Sequence, residues 1–505
     1  MKYIFNEDLN KTVEERILEL NRISKEDLDV SDFKIDKDIE VINRFKDKLL
    51  SNKDKRFFIV GDYDCDGICA TAIINKLLDD EGIKCNYYIP SRSKEGYGLN
   101  DNIVNTAYNN HFDCLFCVDN GIIAKEQLSL AKSLGLKVFI IDHHEYQEEP
   151  DCESFLHPNL FTEKYSDMCA AGLCALFASY FKDDNLINVL GGIASLADMV
   201  SMLNYNRYLV KQMVSILNSS EIKPIKLLLG ENNVDSTNIQ FNVIPKINAV
   251  SRLDDLMNVN YVVKYLLSND NECFDYFNKI ETINTARKDY GKQMYELATK
   301  LIDNSKNIIV IKSNEFKEGL CGLIANRILD NYKKPVIVFA QVGDTLKGSG
   351  RSMPGANIYE YLKKAESLFD NFGGHELAVG LQISETNYDK FMQYINDNSL
   401  EYEQQYKDVL VINTEDINNQ LLDTINNLQP YGTNFVMPLF ALKNPKYISK
   451  YLVANRYPKY DINDYLSAIS FNTNLVNSEF EYMVGNIKKD NYYKDKISFV
   501  IEDLV

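Results

Sequence analysis

Three short apolar runs in this chain each end in acidic residues: Phe57-Phe-Ile-Val-Gly-Asp62-Tyr-Asp64-Cys-Asp66-Gly67, Cys117-Val-Asp119-Asn-Gly121 and Val138-Phe-Ile-Ile-Asp142-His143-His144. A short run of apolar residues without polar alternation reads as a strand buried on both faces, the pattern of a parallel sheet. The polar clusters then fall at the carboxyl ends of their strands, where open α/β sheets bind ligands. That placement confines the chain to an α/β architecture with its chemistry along one edge.

The donor set is chemically narrow. Carboxylate oxygens with one or two imidazoles suit hard divalent ions, Mg²⁺ or Mn²⁺. Two such ions about 3.5–4 Å apart can clamp a phosphodiester for in-line displacement. Any single cluster also reads as a loop or a helix cap. The conjunction favours the metal reading, because Asp62, Asp64 and Asp66 crowd like charge that a cation would neutralise. Two of only five histidines, His143 and His144, are adjacent. Asp198, in Ser195-Leu-Ala-Asp198-Met-Val, is a fourth candidate position.

A length of 505 residues allows about three domains. The pattern predicts a helical N-terminal segment over 1–50 and a doubly wound parallel-sheet domain over 51–260. A linking helix over 261–303 leads to a second, smaller α/β domain over 304–398 and an OB-like β-barrel over 399–505. The opening Met1-Lys-Tyr-Ile-Phe-Asn-Glu-Asp lacks the apolar stretch of a secretory signal, and no run reaches the ~20 apolar residues of a membrane helix. A cytoplasmic protein with no membrane contact, and no further domain past Val505, is the expectation. Ten scattered cysteines suit reduced, buried thiols, and Cys114-Leu-Phe-Cys117 has no second pair to complete a zinc site.

A net charge of −18 argues against general adhesion to nucleic acid, although local fields can differ from the sum. Residues 443–496 carry nine Lys/Arg against six Asp/Glu, a local surplus of cations. Tyr447, Tyr451, Tyr457, Tyr460, Tyr465, Phe471, Tyr482, Tyr492 and Tyr493 are interleaved with them, which suits a face for single strands.

Taken in order, Gly61-Asp-Tyr-Asp-Cys-Asp-Gly67, Val118-Asp-Asn-Gly121, Asp142-His-His144 and Ala197-Asp198 resemble the four motifs of the DHH phosphoesterase superfamily. Further segments resemble one branch of it, the RecJ family of single-strand-specific exonucleases. They are the stretch from Ile89 through Arg92 to Gly98, Pro245-Lys-Ile-Asn248-Ala-Val-Ser-Arg252, Gly319-Leu-Cys-Gly322, Gly348-Ser349-Gly-Arg351-Ser352 and Gly373-Gly374-His375. Leu428-Gln-Pro-Tyr-Gly432 through Pro438-Leu-Phe440 continues the match, so the resemblance spans nearly the whole chain.

The resemblance implies a centre of two Mn²⁺ or Mg²⁺ ions held by Asp62, Asp64, Asp66, Asp119, His143 and Asp198, with Asp142 and His144 as the catalytic pair. It implies that Arg92, Arg252, Ser349, Arg351, Gly373, Gly374 and His375 hold the nucleic-acid backbone or its 5′-phosphate, roles that guanidinium groups and a Gly-rich loop can fill. The implied activity is hydrolysis of single-stranded DNA from the 5′ end to 5′-mononucleotides, in DNA repair and recombination. It is expected of a monomer, with a single-strand-binding protein or a helicase as partner. Two alternatives stand beside it: a nano-RNase or cyclic-dinucleotide phosphodiesterase of the same superfamily, disfavoured by the hundred residues beyond Gly-Gly-His, and a non-catalytic replication scaffold, disfavoured by the retained ligand set. Ser251, Ser201 and Thr433-Asn-Phe-Val-Met depart from the family pattern and bear on the substrate path.

Overall fold

The computed structural model describes residues 2–268, 272–401, 405–472, 475, 476, 479–490, 493 and 495–505. The chain divides into two compact units, the larger comprising Phe33–Val200 and Tyr205–Glu403 and the smaller Met1–Asp32, Ser201–Asn204 and Gln404–Val505. Among the described residues no helix is long and apolar enough to cross a membrane.

The first sheet of the larger unit is wholly parallel, in the order Cys85–Tyr88, Phe57–Val60, Cys114–Val118, Lys137–Ile141, Ser154–Leu156. Its central strands lack polar alternation because both faces are covered. Phe57, Phe116 and Phe139 meet Phe45 and Phe177 on one side, while Phe58, Val60, Leu115, Val138 and Ile140 meet Ile103, Val104, Leu128 and Ala131 on the other. The fold is therefore the expected doubly wound α/β arrangement, with every strand pointing its carboxyl end the same way.

Between Phe57–Val60 and the helix Cys65–Asp80 the chain turns sharply. Asp64 caps that helix, accepting from the amides of Asp66 at 2.9 Å and Gly67 at 3.1 Å. Gly67 is required by close approach: a Cβ there would stand 2.5 Å from the Asp62 carbonyl oxygen.

The expected single helix over 261–303 is two helices, Asn260–Leu267 and Glu272–Leu301. Ser268 ends the first by taking extended backbone, and its hydroxyl bonds the Tyr265 carbonyl, a local alternative to continued helix. A second sheet follows in the order Asn371–His375, Ala378–Ser384, Thr345–Arg351, Val336–Val342, Ile309–Ser313. Its last two strands are parallel, separated in sequence by the helix Cys321–Tyr332, and the other pairings are antiparallel.

The smaller unit corrects two expectations. The N-terminus is not simply helical, because Lys2–Asn6 forms a strand parallel to Tyr406–Val411. Alternation of aromatic and β-branched residues suits that pairing, Phe5 stacks on Tyr482 at 3.9 Å, and buried Arg16 ties the Asn6 and Val411 carbonyls together. Nor is there a closed barrel. The strands form an open mixed sheet of eight, from Lys2–Asn6 at one edge to Ser449–Val453 at the other, with no ladder between those edges among the described residues. The added parallel N-terminal strand occupies one edge, and the strand at the other edge exposes Lys450, Tyr451 and Leu452 on both faces, so neither edge is shaped to close on the other. Two family departures meet in this unit: Ser201 bridges Thr433, and its hydroxyl accepts from Asn434 Nδ2 at 3.2 Å.

Replacing Gly67 by Ala should destabilise the fold by about 1–3 kcal/mol through overpacking against the Asp62 backbone. Gly291→Ala, in open space within the long helix, should instead stabilise by about 0.5–1 kcal/mol. Thermal melts of the two variants should shift in opposite directions.

Candidate metal centre and phosphate groove

Five strand ends and helix ends bring the predicted acidic residues together. Asp62 and Asp119 follow their strands, Asp142 and His143 follow Lys137–Ile141, and Asp198 is the C-cap of Asn185–Ala197. Asp66 lies in the first turn of its own helix and accepts from the Ala170 and Ala171 amides, both at 2.8 Å, at the start of the helix Ala170–Ser179. Asp119 adopts left-handed backbone with φ 59°, and Gly121 follows at φ 104°. That strained turn aims the Asp119 carboxylate into the cluster.

Three sets of ligand atoms each lie within 4.8 Å: Asp62, Asp64 and Asp119; Asp66, His143 and Asp198; and Asp119, His143 and His144. Asp119 and His143 each belong to two of these sets, and of the two only the carboxylate, with its second oxygen, is suited to be shared between two ions. His143 Nε2 stands 3.2 Å from Asp119 Oδ1, yet among the described residues Asp119 Oδ1 has no hydrogen-bond partner, nor has Asp62 Oδ1. Two acceptors facing one another at that distance match adjacent ligands of one octahedral ion, about 3 Å apart when the bonds are 2.0–2.1 Å. The residues present therefore fit a divalent pair.

Without a cation the carboxylates resist ionisation. Burial, followed by the charges of its acidic neighbours, pushes the Asp119 carboxyl well up, and burial with Asp64 does the same at Asp62. Burial with Asp66 and Asp64 lifts Asp198 to about 8. His144 differs. Burial disfavours its charge, but the 2.7 Å bond from Nδ1 to Asp142 Oδ1 and that carboxylate's charge prevail and raise it. Asp142 is in turn held by the Ile122, His143 and His144 amides. The Tyr97 hydroxyl lies 3.1 Å from the His144 ring nitrogens and donates to the Asp119 carbonyl at 2.9 Å.

Tyr97 also lines a groove of about 520 Å³, with Tyr63, Arg92, Lys347, Ser349 and Gly373. Period two places Lys347, Ser349 and Arg351 on one face of their strand, since Cβ atoms at Gly348 and Gly350 would strike Phe339 and Val379 beneath. Across the sheet Ser349 is opposite Gly380, which is opposite Gly373. No atom lies within 4 Å of where a Cβ would sit at either glycine, so the groove has a floor of bare backbone. Gly374, at φ 143°, forms the tight end of this hairpin, and His375 is exposed there beside the Arg351 row, outside the groove lining.

Arg92, Arg252, Arg287 and Arg351 act on one another electrically. Burial, then Arg92, Arg287 and Arg351, bring Arg252 down to about 10, and burial with Arg92 lowers Arg351. The carboxylates close by are engaged elsewhere: Asp255 pairs with Lys317, and Glu318 with Lys347. Among the described residues no ion pair neutralises any of the four arginines, which is the condition for receiving an anion. The expected residues Arg92, Ser349 and Arg351 thus share one region with Arg252, while Tyr63, Tyr97, Arg287 and Lys347 were not foreseen. Lys347 was readable from its period-two spacing to Ser349 and Arg351; Arg287 lies in a helix with no local motif.

The sequence matches the DHH family, N-terminal domain, over residues 56–201 and the DHHA1 domain over residues 305–399. It is 30% identical over 401 residues to the single-stranded-DNA-specific exonuclease RecJ of Escherichia coli strain K12, covering 71% of this chain and 68% of that protein. The chain belongs to the RecJ family. The fold agrees with the crystal structure of RecJ in complex with Mn²⁺ from Thermus thermophilus, at a TM-score of 0.83 and 21% identity over 100% of this chain and 79% of that one. A crystal structure of exonuclease RecJ bound to manganese matches with a TM-score of 0.63 and 26% identity, over 72% of this chain and 94% of that one.

In the smaller unit, the aromatic and basic residues expected to form a strand-binding face divide. Tyr460 is buried, whereas Tyr451, opposite Lys459, is exposed on the hairpin of Ser449–Val453 and Tyr457–Asp461, at whose turn Arg456 lies over the Tyr457 ring. Tyr492 lies outside the described residues.

Two outcomes follow for the acidic cluster. A carboxyl whose pKa is raised on folding favours the folded state below its unfolded value, near 4, and that contribution is lost as pH rises toward the folded value. With Asp198 at about 8, the metal-free protein should melt lower at about pH 8 than at about pH 5.5, and Mn²⁺ should raise the melting temperature more at the higher pH because binding displaces protons. Asp119→Ala should remove an orphaned buried acceptor and raise the metal-free melting temperature while abolishing Mn²⁺ binding by calorimetry. Wild-type Mn²⁺ affinity in that variant would show that Asp119 is not a shared ligand.

Proposed function

We propose that this chain is a metal-dependent exonuclease that hydrolyses single-stranded DNA from the 5′ end and releases 5′-mononucleotides. The observation that carries the reading is Tyr97, which lines the groove holding Arg92 and Lys347 while its hydroxyl touches both His144 and the Asp119 backbone. One cleft therefore presents an arginine with no carboxylate partner among the described residues and, beside it, a cluster built for divalent ions. The RecJ relatives are named for single-stranded-DNA-specific exonuclease activity, and one is bound to manganese, in keeping with this reading.

Asp62, Asp64 and Asp119 would hold one ion, and Asp66, His143 and Asp198 with Asp119 the other. When bound, the pair supplies Lewis acidity, lowering the pKa of the attacking water and offsetting charge on the scissile phosphate. The remaining work falls to the chain. Arg92, Arg252 and Arg351 with Ser349 bind the terminal 5′-phosphate, and the glycine floor admits the backbone without steric cost. Asp142 fixes the ring of His144 through Nδ1, which leaves Nε2 to donate a hydrogen bond to a scissile-phosphate oxygen. Cleavage then breaks the bond to the 3′-oxygen of the terminal nucleotide. The exposed hairpin of the smaller unit, with Tyr451, Arg456 and Lys459, offers stacking and charge to a single strand.

We further read the enzyme as a cytoplasmic monomer acting in DNA repair and recombination alongside a single-strand-binding protein or a helicase. Ten free cysteines, most of them buried, support a reducing compartment.

With Mn²⁺, 5′-phosphorylated single strands should yield 5′-mononucleotides from the 5′ end and duplexes should be spared. Digestion from the 3′ end, or cleavage of dinucleotides alone, would overturn the reading. Arg351→Ala should weaken strand binding by about 1.5–3 kcal/mol, the scale of a charge-assisted bond, while calorimetry shows Mn²⁺ affinity retained.

A further inference from the structure

Arg92 stands in a stretch, residues 90–100, with no helix or strand of its own. No ladder holds its backbone, yet a phosphate-binding guanidinium must be held within a fraction of an ångström to be useful. What holds it is side-chain bonding: Glu95 Oε2 accepts from Ser91 N at 2.9 Å, and the carboxylate of Asp254, from another segment, reaches both neighbours of Arg92. Asp254 Oδ2 accepts from Ser91 Oγ at 2.6 Å, from Ser93 N at 2.9 Å and from Ser93 Oγ at 2.9 Å, and Asp254 Oδ1 accepts from Ser93 Oγ at 2.8 Å. These donors are the residues on either side of Arg92.

Resting on the reading that Arg92 binds the terminal phosphate, we propose that Asp254 is a positioning residue, fixing Arg92 through Ser91 and Ser93 in register with Arg252. The register is set by connectivity. Arg252 ends the helix Ile244–Arg252, and Asp254 lies two residues on, so one short segment contributes one arginine and clamps the loop that carries another. The choice of a carboxylate is otherwise costly, because a negative group two residues from Arg252 could pair with an arginine and spoil an anion site. Here the serines occupy it. Burial opposes its ionisation, but the bonds from Ser91 and Ser93 outweigh that and hold the carboxyl below its usual range. Lys347 completes the clamp, donating to the Ser93 carbonyl at 2.9 Å while pairing with Glu318, so the second sheet grips the same loop.

The test compares 5′-phosphorylated with 5′-hydroxyl single strands in Mn²⁺. Asp254→Ala should raise KM for the phosphorylated strand about tenfold, the effect of one lost charge-assisted bond, and leave kcat within about twofold. Asp254→Asn, which keeps an acceptor for Ser91 and Ser93, should restore most of the difference. In the Arg92→Ala background the Asp254→Ala effect should vanish, since Asp254 acts only through Arg92. The paired Ser91→Ala, Ser93→Ala variant should reproduce Asp254→Ala if the latter folds poorly. Equal losses on both strands, or additive losses with Arg92→Ala, would overturn the proposal. If Arg92→Ala itself leaves the preference for a 5′-phosphate intact, it is the phosphate-binding reading of Arg92 that fails.

Discussion

Like charge confined at the carboxyl end of a buried parallel sheet governs this molecule. Asp62, Asp66 and Asp119 are almost wholly buried, within reach of Asp64, Asp198 and one another, and water cannot screen them. A metal-free chain relieves the strain by keeping protons on these carboxyls, as the upward shifts at Asp62, Asp66, Asp119 and Asp198 indicate. Cations relieve it better, because they satisfy oxygens that have no donor. Such a centre is assembled at the expense of the apo fold, and the parallel core with its five interlocked phenylalanines supplies the rigidity that tolerates it.

The opposite problem is solved across the groove. Among the described residues, four arginines lie together without carboxylate partners, and nearby acids are diverted to lysines or to serine hydroxyls. A protein with net charge −18 would otherwise repel a polyanion, so binding depends on a confined region where cations are left unpaired. Tyr63 and Tyr97 separate the two regions physically: Arg92 lies over the Tyr63 ring at 5.2 Å, and Tyr97 reaches His144. Neutral aromatic groups between the fields allow acids and arginines to share a cleft without collapsing into ion pairs.

Much of this was legible in the sequence, for a definable reason. Each acidic motif is contiguous and sits directly after an apolar strand, so local pattern alone placed Asp62, Asp119 and Asp142 at one sheet edge. Ser349 and Arg351 came from the family resemblance, and the Gly-rich segment that carries them, expected as a loop, is a strand whose alternation keeps them on one face. What escaped was non-local. The Lys2–Asn6 strand pairs with residues some 400 positions away, which no window can detect. The expected barrel failed because short β-like runs reveal strands but not whether their edges meet. Arg287 and Asp254 escaped because the residues they act on, Arg252 for the one and Ser91 and Ser93 for the other, lie on other elements and their spacing repeats nothing.

The position of Gly67 links these levels. Its missing side chain lets the helix Cys65–Asp80 begin against the Asp62 carbonyl, and only that proximity allows Asp64 to cap the helix while Asp62 and Asp66 flank it. The helix N-terminus then directs amide dipoles toward the same carboxylates. Part of the electrostatic cost is thus met by backbone before any ion arrives. The acceptors left over, Asp62 Oδ1 and Asp119 Oδ1, are those that backbone geometry does not reach, and they are the oxygens a divalent ion would satisfy on displacing the protons.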